Sequence, residues 1–91
     1  MERADRDVRR LRGVRFSYVP HARERMEEFG ISESEVRLTV GQPEEEGDAN
    51  LGRRYAQKQI GRRRIRVIYN RGAGEAVVVT VMLRRTEGGG S

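Results

Sequence analysis

The chain has 91 residues and contains no cysteine, no tryptophan and a single histidine, His21. The lack of cysteine excludes a disulfide framework, a thiol nucleophile and a thiolate metal site. One histidine leaves too few imidazole ligands for a typical transition-metal centre. No stretch approaches the roughly 18 consecutive apolar residues that a transmembrane helix needs. We therefore expect a cytoplasmic protein without a cofactor, a metal or a membrane contact.

Arginine dominates the charged residues, since Lys58 is the single lysine among 19 basic side chains. The formal net charge is +5, but it is unevenly distributed. Residues 16–50 hold three basic and nine acidic side chains, whereas residues 51–91 hold ten basic and two acidic ones. Codon bias in a GC-rich genome would explain the excess of arginine over lysine, but not its position. A basic half of this kind is typical of proteins that bind a polyanion, and the guanidinium fork suits phosphate.

A chain of this length forms one domain, which we place at residues 14–86. Residues 1–13 are mostly charged and predict either a short helix or an arm. Residues 87–91, with the sequence EGGGS, resemble a flexible tail or an expression linker.

Two helices are predicted before residue 42. Pro20 suits the first turn of a helix and Gly30 its left-handed end, so the first helix spans about residues 20–29. Ser32 and Glu35 have the spacing of a capping box, so the second helix begins at Ser32 and ends near Gly41. The acidic segment 43–52 is predicted to be a loop.

The period of the apolar residues changes to two after Gly52, which indicates strands. We predict strands at residues 53–60, 63–69 and 76–84, and a short leading strand at residues 14–18. The fold class is therefore α+β, with two N-terminal helices packed on one face of a three- to four-stranded antiparallel sheet.

Several motifs follow one another in a fixed order along the chain. They are His21-Ala22-Arg23-Glu24-Arg25-Met26, then Gly30-Ile31-Ser32, Val36 and Pro43, and in the second half Gly61-Arg62-Arg63, IRVIY at residues 65–69 and VVVTV at residues 77–81. Their order and spacing over residues 16–85 resemble the small bacterial domain-of-unknown-function family 4258. One departure is Phe29, where that family commonly has arginine.

The family is similar in layout to the RelE/ParE/BrnT group of toxin-like folds, in which paired helices cover an antiparallel sheet. Some members of that group cleave ribosome-bound messenger RNA without a metal, others act on gyrase, and some have no demonstrated activity. The resemblance thus implies a protein of the toxin–antitoxin type, with RNA as its target, including RNA on the ribosome, and an antitoxin protein as its partner. It implies the fold more strongly than any activity.

Four residues are candidates for catalysing RNA cleavage. His21 is the only side chain whose ordinary titration lies near neutral pH, so it is the first choice for a general acid or base. Arg25 lies one helical turn further along the same helix. Arg66 would stabilise the charge that develops on phosphorus, and Tyr69 would move a proton. Supporting positions near His21 are assigned to two further residues, Glu28 and Thr80.

The alternation on strand 63–69 places Arg64 and Arg66 on one face and Ile65 and Val67 on the other. If the apolar set faces the helices, the arginines project from the open face of the sheet. The remaining candidates for RNA binding lie on neighbouring strands and are Arg54, Tyr55, Lys58, Arg84 and Arg85.

Two hypotheses of different classes follow. In the first, the protein is an RNA-binding, metal-independent endoribonuclease whose arginines converge on the open face beside His21. In the second, it is a non-catalytic module that binds a protein through its acidic middle or its basic sheet, and an inhibitor of a DNA enzyme would use the same basic surface. The site residues also have ordinary structural interpretations: His21 as a helix cap, Tyr69 as part of the core, and the arginines as a solvated face.

Overall fold

A computed structural model describes residues 13–85 of the chain. The predicted N-terminal arm, except for Gly13, and the predicted tail lie outside the described residues. The elements in chain order are strand β1 (Arg15–Tyr18), helix α1 (Pro20–Phe29), helix α2 (Glu33–Gly41), and strands β2 (Glu45–Asp48), β3 (Arg54–Ile60), β4 (Arg63–Gly72) and β5 (Glu75–Arg85). No helix among these residues is long and apolar enough to cross a bilayer.

Both predicted helices form, and the residues predicted to end the first helix and to cap the second have those roles. Pro20 begins α1, and Gly30 ends it with a φ of 67°, in the left-handed region that glycine tolerates. In the capping box of α2, the Ser32 hydroxyl accepts a hydrogen bond from the backbone N–H of Glu35 at 3.1 Å. The Glu35 carboxylate accepts a hydrogen bond from the backbone N–H of Ser32 at 3.0 Å. The bounds of α1 and the end of α2 are confirmed, and α2 begins at Glu33, one residue after the predicted Ser32, which is its N-cap.

The five strands form one mixed sheet in the order β1-β5-β4-β3-β2. The prediction of three to four antiparallel strands is therefore wrong in two respects. First, β1 runs parallel to β5, with Arg15 opposite Glu75 and Tyr18 opposite Val78. The direction of a short edge strand depends on long-range pairing, which a local sequence period does not reveal.

The second difference is strand β2, which lies within the segment predicted to be an acidic loop. Its four residues pair antiparallel with β3, from Glu45 opposite Gln57 to Asp48 opposite Arg54. The strand has no apolar alternation because it lies at the sheet edge with mostly exposed side chains. Acidic residues on an edge strand also discourage pairing with other chains.

The hydrophobic core lies between the two helices and one face of the sheet. It contains Ala22 and Met26 of α1 and Val36 and Val40 of α2, packed on Ala56, Ile65, Val67, Tyr69, Ala76, Val78 and Val81. Because all these strand residues share one face, both helices cover the same side, as expected. The register between β4 and β5 shifts at a β-bulge, so that Ile68 pairs with Thr80 but the next residue, Tyr69, pairs with Val78. The bulge lets Val78 and Val81, three residues apart, both face the core.

Candidate nucleic-acid interface on the open face of the sheet

Nine side chains from the three central strands lie side by side on the face opposite the helices, and we call this group the open face. Its residues are Tyr55, Gln57 and Gln59 of β3, Arg64, Arg66 and Ile68 of β4, and Thr80, Met82 and Arg84 of β5. None of the nine is buried, and both described helices lie on the other side. The expectation that Arg64 and Arg66 project from this face is confirmed, because Ile65 and Val67 between them are fully buried.

Arg64 and Arg84 are direct partners across β4 and β5. Both side chains are exposed, and neither forms a hydrogen bond or ion pair with any described residue. Like charges placed directly opposite each other in a sheet are destabilising. The next pair in the register is again arginine with arginine, Arg63 opposite Arg85 in the backbone ladder. Arg63 faces the helices and pairs with Glu35, so the uncompensated charge at this end of the open face is that of Arg64 and Arg84, which a bound anion would neutralise.

Arg66 and Tyr55 form a fixed stacked pair, which we call the Tyr55–Arg66 platform. The guanidinium carbon of Arg66 lies 4.4 Å from the centroid of the Tyr55 ring, a cation–π contact. Arg66 donates through Nε to Gln57 Oε1 at 2.9 Å, and Tyr55 donates its hydroxyl to Glu45 Oε2 at 2.7 Å. Gln57 in turn donates to the other oxygen of Glu45 at 3.4 Å. The hydrogen bonds thus hold both members of the stack.

The edge strand β2 supports the platform. The hydrogen bond to Glu45 raises the pKa of Tyr55, with smaller contributions from desolvation and from the negative charge of Glu45. Gly47 is the register partner of Tyr55, and a Cβ at Gly47 would lie only 3.1 Å from a carbon of the tyrosine ring. The missing side chain therefore allows the ring to lie over β2.

A cleft of about 450 Å³ opens beside the platform. The sheet contributes Tyr55, Arg66, Ile68 and Met82 to its lining, and the loop between β2 and β3 contributes Asn50. Met82 is one of the few large apolar side chains that are exposed, at 43%. The cleft therefore combines an apolar surface, a planar cation and polar groups at its rim.

Two residues expected to join the open face, Arg54 and Lys58, lie on the helix face instead. They are the register partners of Tyr69 and Ile65, both of which are buried beneath the helices. Lys58 donates through Nζ to the carbonyl oxygen of Gln42, at the end of α2, at 2.8 Å. The expectation was wrong because the strand-to-strand register, and not the strand's own alternation, decides which parity faces the helices.

Arg54 has partners on that side. It donates to Asp48 at 3.1 Å, and the neighbouring Tyr69 hydroxyl, followed by Asp48 and Glu46, raises its pKa. Arg54 therefore belongs to a local polar cluster on the helix face.

The four residues predicted to carry catalysis are distributed over three places. His21 is exposed on α1, and Arg25, also on α1, pairs with Glu28 at 2.8 Å. Tyr69 is only 2% exposed in the core, whereas Arg66 lies on the open face. Since the sheet separates the helices from that face, the expectation that the arginines lie beside His21 is wrong.

The two supporting positions are likewise separated, because Glu28 lies on α1 and Thr80 on the open face, opposite Ile68. For Arg85 the structure fixes only the backbone pairing with Arg63. The site residues that the sequence did not reveal are Gln57, Glu45 and Met82. Gln57 lies two residues after Tyr55 on β3, so strand alternation could have placed it on the same face as Tyr55. Glu45 lay in the segment that was interpreted as a loop.

One family model matches the chain, over residues 18–83, and its description is a domain of unknown function, DUF4258. The match spans nearly three quarters of the 91 residues. The chain belongs to this family. The DUF4258 region includes both helices, β2 to β4 and β5 as far as Leu83, so the Tyr55–Arg66 platform lies within it, whereas Arg84 follows directly after it. No curated protein and no solved structure matches this DUF4258 chain.

Proposed function

We propose that this DUF4258 protein binds single-stranded RNA on the open face of its sheet. The observation that carries the proposal is the direct pairing of Arg64 with Arg84, both exposed and without a carboxylate partner among the described residues. A like-charge pair lowers the stability of the free protein. Phosphate groups would neutralise it, and arginine binds them bidentately.

The pairing of other arginines supports this assignment. On the helix side, Arg23 pairs with Glu33 at 2.7 Å, Arg25 with Glu28 at 2.8 Å and Arg54 with Asp48 at 3.1 Å. Arg63 also pairs with the Glu35 carboxylate. The helix side thus holds several internally neutralised arginines, whereas Arg64 and Arg84 on the open face remain available to a ligand.

A single strand suits this surface better than a duplex does. The open face is a sheet surface that carries Tyr55, Ile68 and Met82 beside its arginines. The unpaired bases of a single strand are free to stack on aromatic rings and guanidinium groups, whereas a duplex presents mainly phosphates and grooves. RNA is the polyanion that the family resemblance implies.

RNA cleavage is not part of the proposal. An in-line attack needs an acid or base within hydrogen-bond reach of the reacting atoms. His21 and Tyr69 lie on the helix side of the sheet, away from Arg64, Arg66 and Arg84. The likeness to the RelE/ParE/BrnT fold group remains a proposal from the family resemblance, and two helices packed on one face of a sheet support it. Toxin activity and an antitoxin partner are proposals that rest on the resemblance alone.

The proposal is tested by titrating the protein into a fluorescent single-stranded RNA of about 12 nucleotides, within the ~4–16 nucleotides that a small domain covers. Two phosphate contacts, made by Arg64 and Arg84 on a single strand, predict a slope of log K against log salt of about −1.4. The double variant Arg64→Gln/Arg84→Gln should bind more weakly and lose most of that slope.

The matched control is Arg23→Gln/Arg37→Gln, which removes the same net charge from the helix side. The folded fraction of each variant is verified by thermal melting. Equal losses in both double variants would refute the open face as the binding surface. An absence of RNA binding by the wild-type protein at low salt would refute the function itself.

A further inference from the structure

The cleft beside the Tyr55–Arg66 platform has the features of a site for a flat ring. One face of the Arg66 guanidinium lies against Tyr55, 4.4 Å from the ring centroid, and its Nε is bound by Gln57. Its two terminal nitrogens have no hydrogen-bond partner among the described residues. Arg66 also lines the cleft of about 450 Å³. A planar cation fixed in this way offers a surface on which a base stacks.

The rest of the lining suits a base as well. Ile68 and Met82 supply apolar contacts for the faces and edges of a ring, and Asp48, Asn50 and Arg53 supply polar groups at the rim. Ligand sites combine mainly apolar walls with a few polar groups in this way. The hydrogen bonds through Glu45 and Gln57 fix the stack before a ligand arrives, which reduces the entropy lost on binding.

The spacing along β4 connects this cleft to the phosphate-binding arginines. Arg64 and Arg66 are two residues apart on one strand face, which places their Cα atoms about 6.7 Å apart. Arg84 lies opposite Arg64, on the neighbouring strand. A single strand held by Arg64 and Arg84 therefore passes close to the cleft.

We propose that the cleft receives one base of the bound RNA, stacked on the guanidinium of Arg66, while Arg64 and Arg84 hold phosphates of the same strand. This inference rests on the proposed RNA-binding function and adds a base-dependent part to it. Bound in this way, RNA is held by its bases as well as by its charge.

The test compares two oligonucleotides of equal length and equal phosphate number: an intact single-stranded RNA, and the same backbone with abasic sites throughout. For the wild-type protein, the intact strand should bind roughly 5- to 150-fold more tightly, which corresponds to one stacked base at about 1–3 kcal/mol. The variant Arg66→Lys keeps the charge but lacks the planar group, so the two strands should bind it with similar affinity.

The matched control is Arg37→Lys. Arg37 also stacks on a ring, with its guanidinium carbon 4.9 Å from the centroid of Phe16, but it lies on α2. This variant should keep the full preference for the intact strand. A second variant, Gly47→Val, tests the platform without changing any charge, since its side chain would displace the Tyr55 ring. It should reduce the preference for the intact strand.

The outcomes separate the inference from the function beneath it. If both strands bind the wild-type protein equally well and with a salt dependence, the protein binds phosphates and the base site is refuted. If Arg66→Lys keeps the preference, the base is recognised elsewhere and the inference is again overturned. If neither strand binds at low salt, the proposed function itself fails.

Discussion

Reversing the charge of Arg84 should make the free protein more stable. In the wild-type sheet Arg84 lies opposite Arg64, and both side chains are exposed. Arg84→Glu replaces a repulsive cross-strand pair by an attractive one. Cross-strand charge pairs contribute about 0.2–1 kcal/mol, and exposed ion pairs fall in the same range. We therefore expect the free energy of unfolding to rise by about 0.5–1 kcal/mol, which is roughly 2–8 °C in Tm for a domain of this size.

The assay is urea denaturation of four proteins: the wild type, Arg64→Glu, Arg84→Glu and the double variant. Each single reversal should be stabilising, and the double reversal should lose most of that gain because it restores a like-charge pair. The double-mutant cycle isolates the coupling between the two positions from their other contacts. The coupling should shrink in about 1 M salt, where the Debye length is only ~3 Å.

A zero coupling at low salt, or a loss of stability in both single variants, would refute the placement of the two side chains opposite each other on the open face. Each stabilised variant should also bind RNA more weakly than the wild type. A gain in stability together with a loss of binding is expected when a protein keeps a destabilising charge pair because that pair binds its ligand.

Three further predictions concern the support of the platform, the cap of α2 and the ion pair between Arg63 and Glu35. Tyr55 should ionise above its ordinary pKa of 10.0 because its hydroxyl donates to Glu45. Glu45→Gln should lower that pKa in a tyrosinate absorbance titration, and no change would contradict the hydrogen bond. Since the folded state holds this proton more tightly, its stabilising effect is complete below pH 10.0 and is lost as pH rises past the folded pKa. Ser32→Ala should lower the free energy of unfolding by about 1 kcal/mol. Arg63→Gln and Glu35→Ala should be less than additive in urea denaturation, and strict additivity would argue against their ion pair.

Local signals were enough to predict the elements that are defined by neighbouring residues. Pro20 and Gly30 predict the ends of α1 because they act on the backbone of their own turn. Ser32 and Glu35 predict the start of α2 for the same reason. The alternation of β4 predicts which face carries Arg64, because its buried parity is strongly apolar.

The parts that the sequence did not predict depend on long-range pairing. Lys58 was assigned to the wrong face because β3 has a mixed pattern, and only its register with Ile65 decides its orientation. The parallel pairing of β1 with β5 follows from no local signal. His21 was expected beside the arginines, although the same analysis placed the helices and the arginines on opposite faces of the sheet. These two expectations were incompatible, and the structure confirms the second, since Ile65 and Val67 are buried beneath the helices.

The most direct test of the account is to observe the arginine side chains as RNA is added. In a protein labelled with ¹⁵N-arginine, the Nε–H signals of Arg64, Arg66 and Arg84 report from the open face, and those of Arg23 and Arg37 report from the helix side. If the account is right, addition of a single-stranded RNA will shift the first three signals and leave the other two in place. Shifts confined to Arg23 and Arg37, or equal shifts in all five, would contradict it.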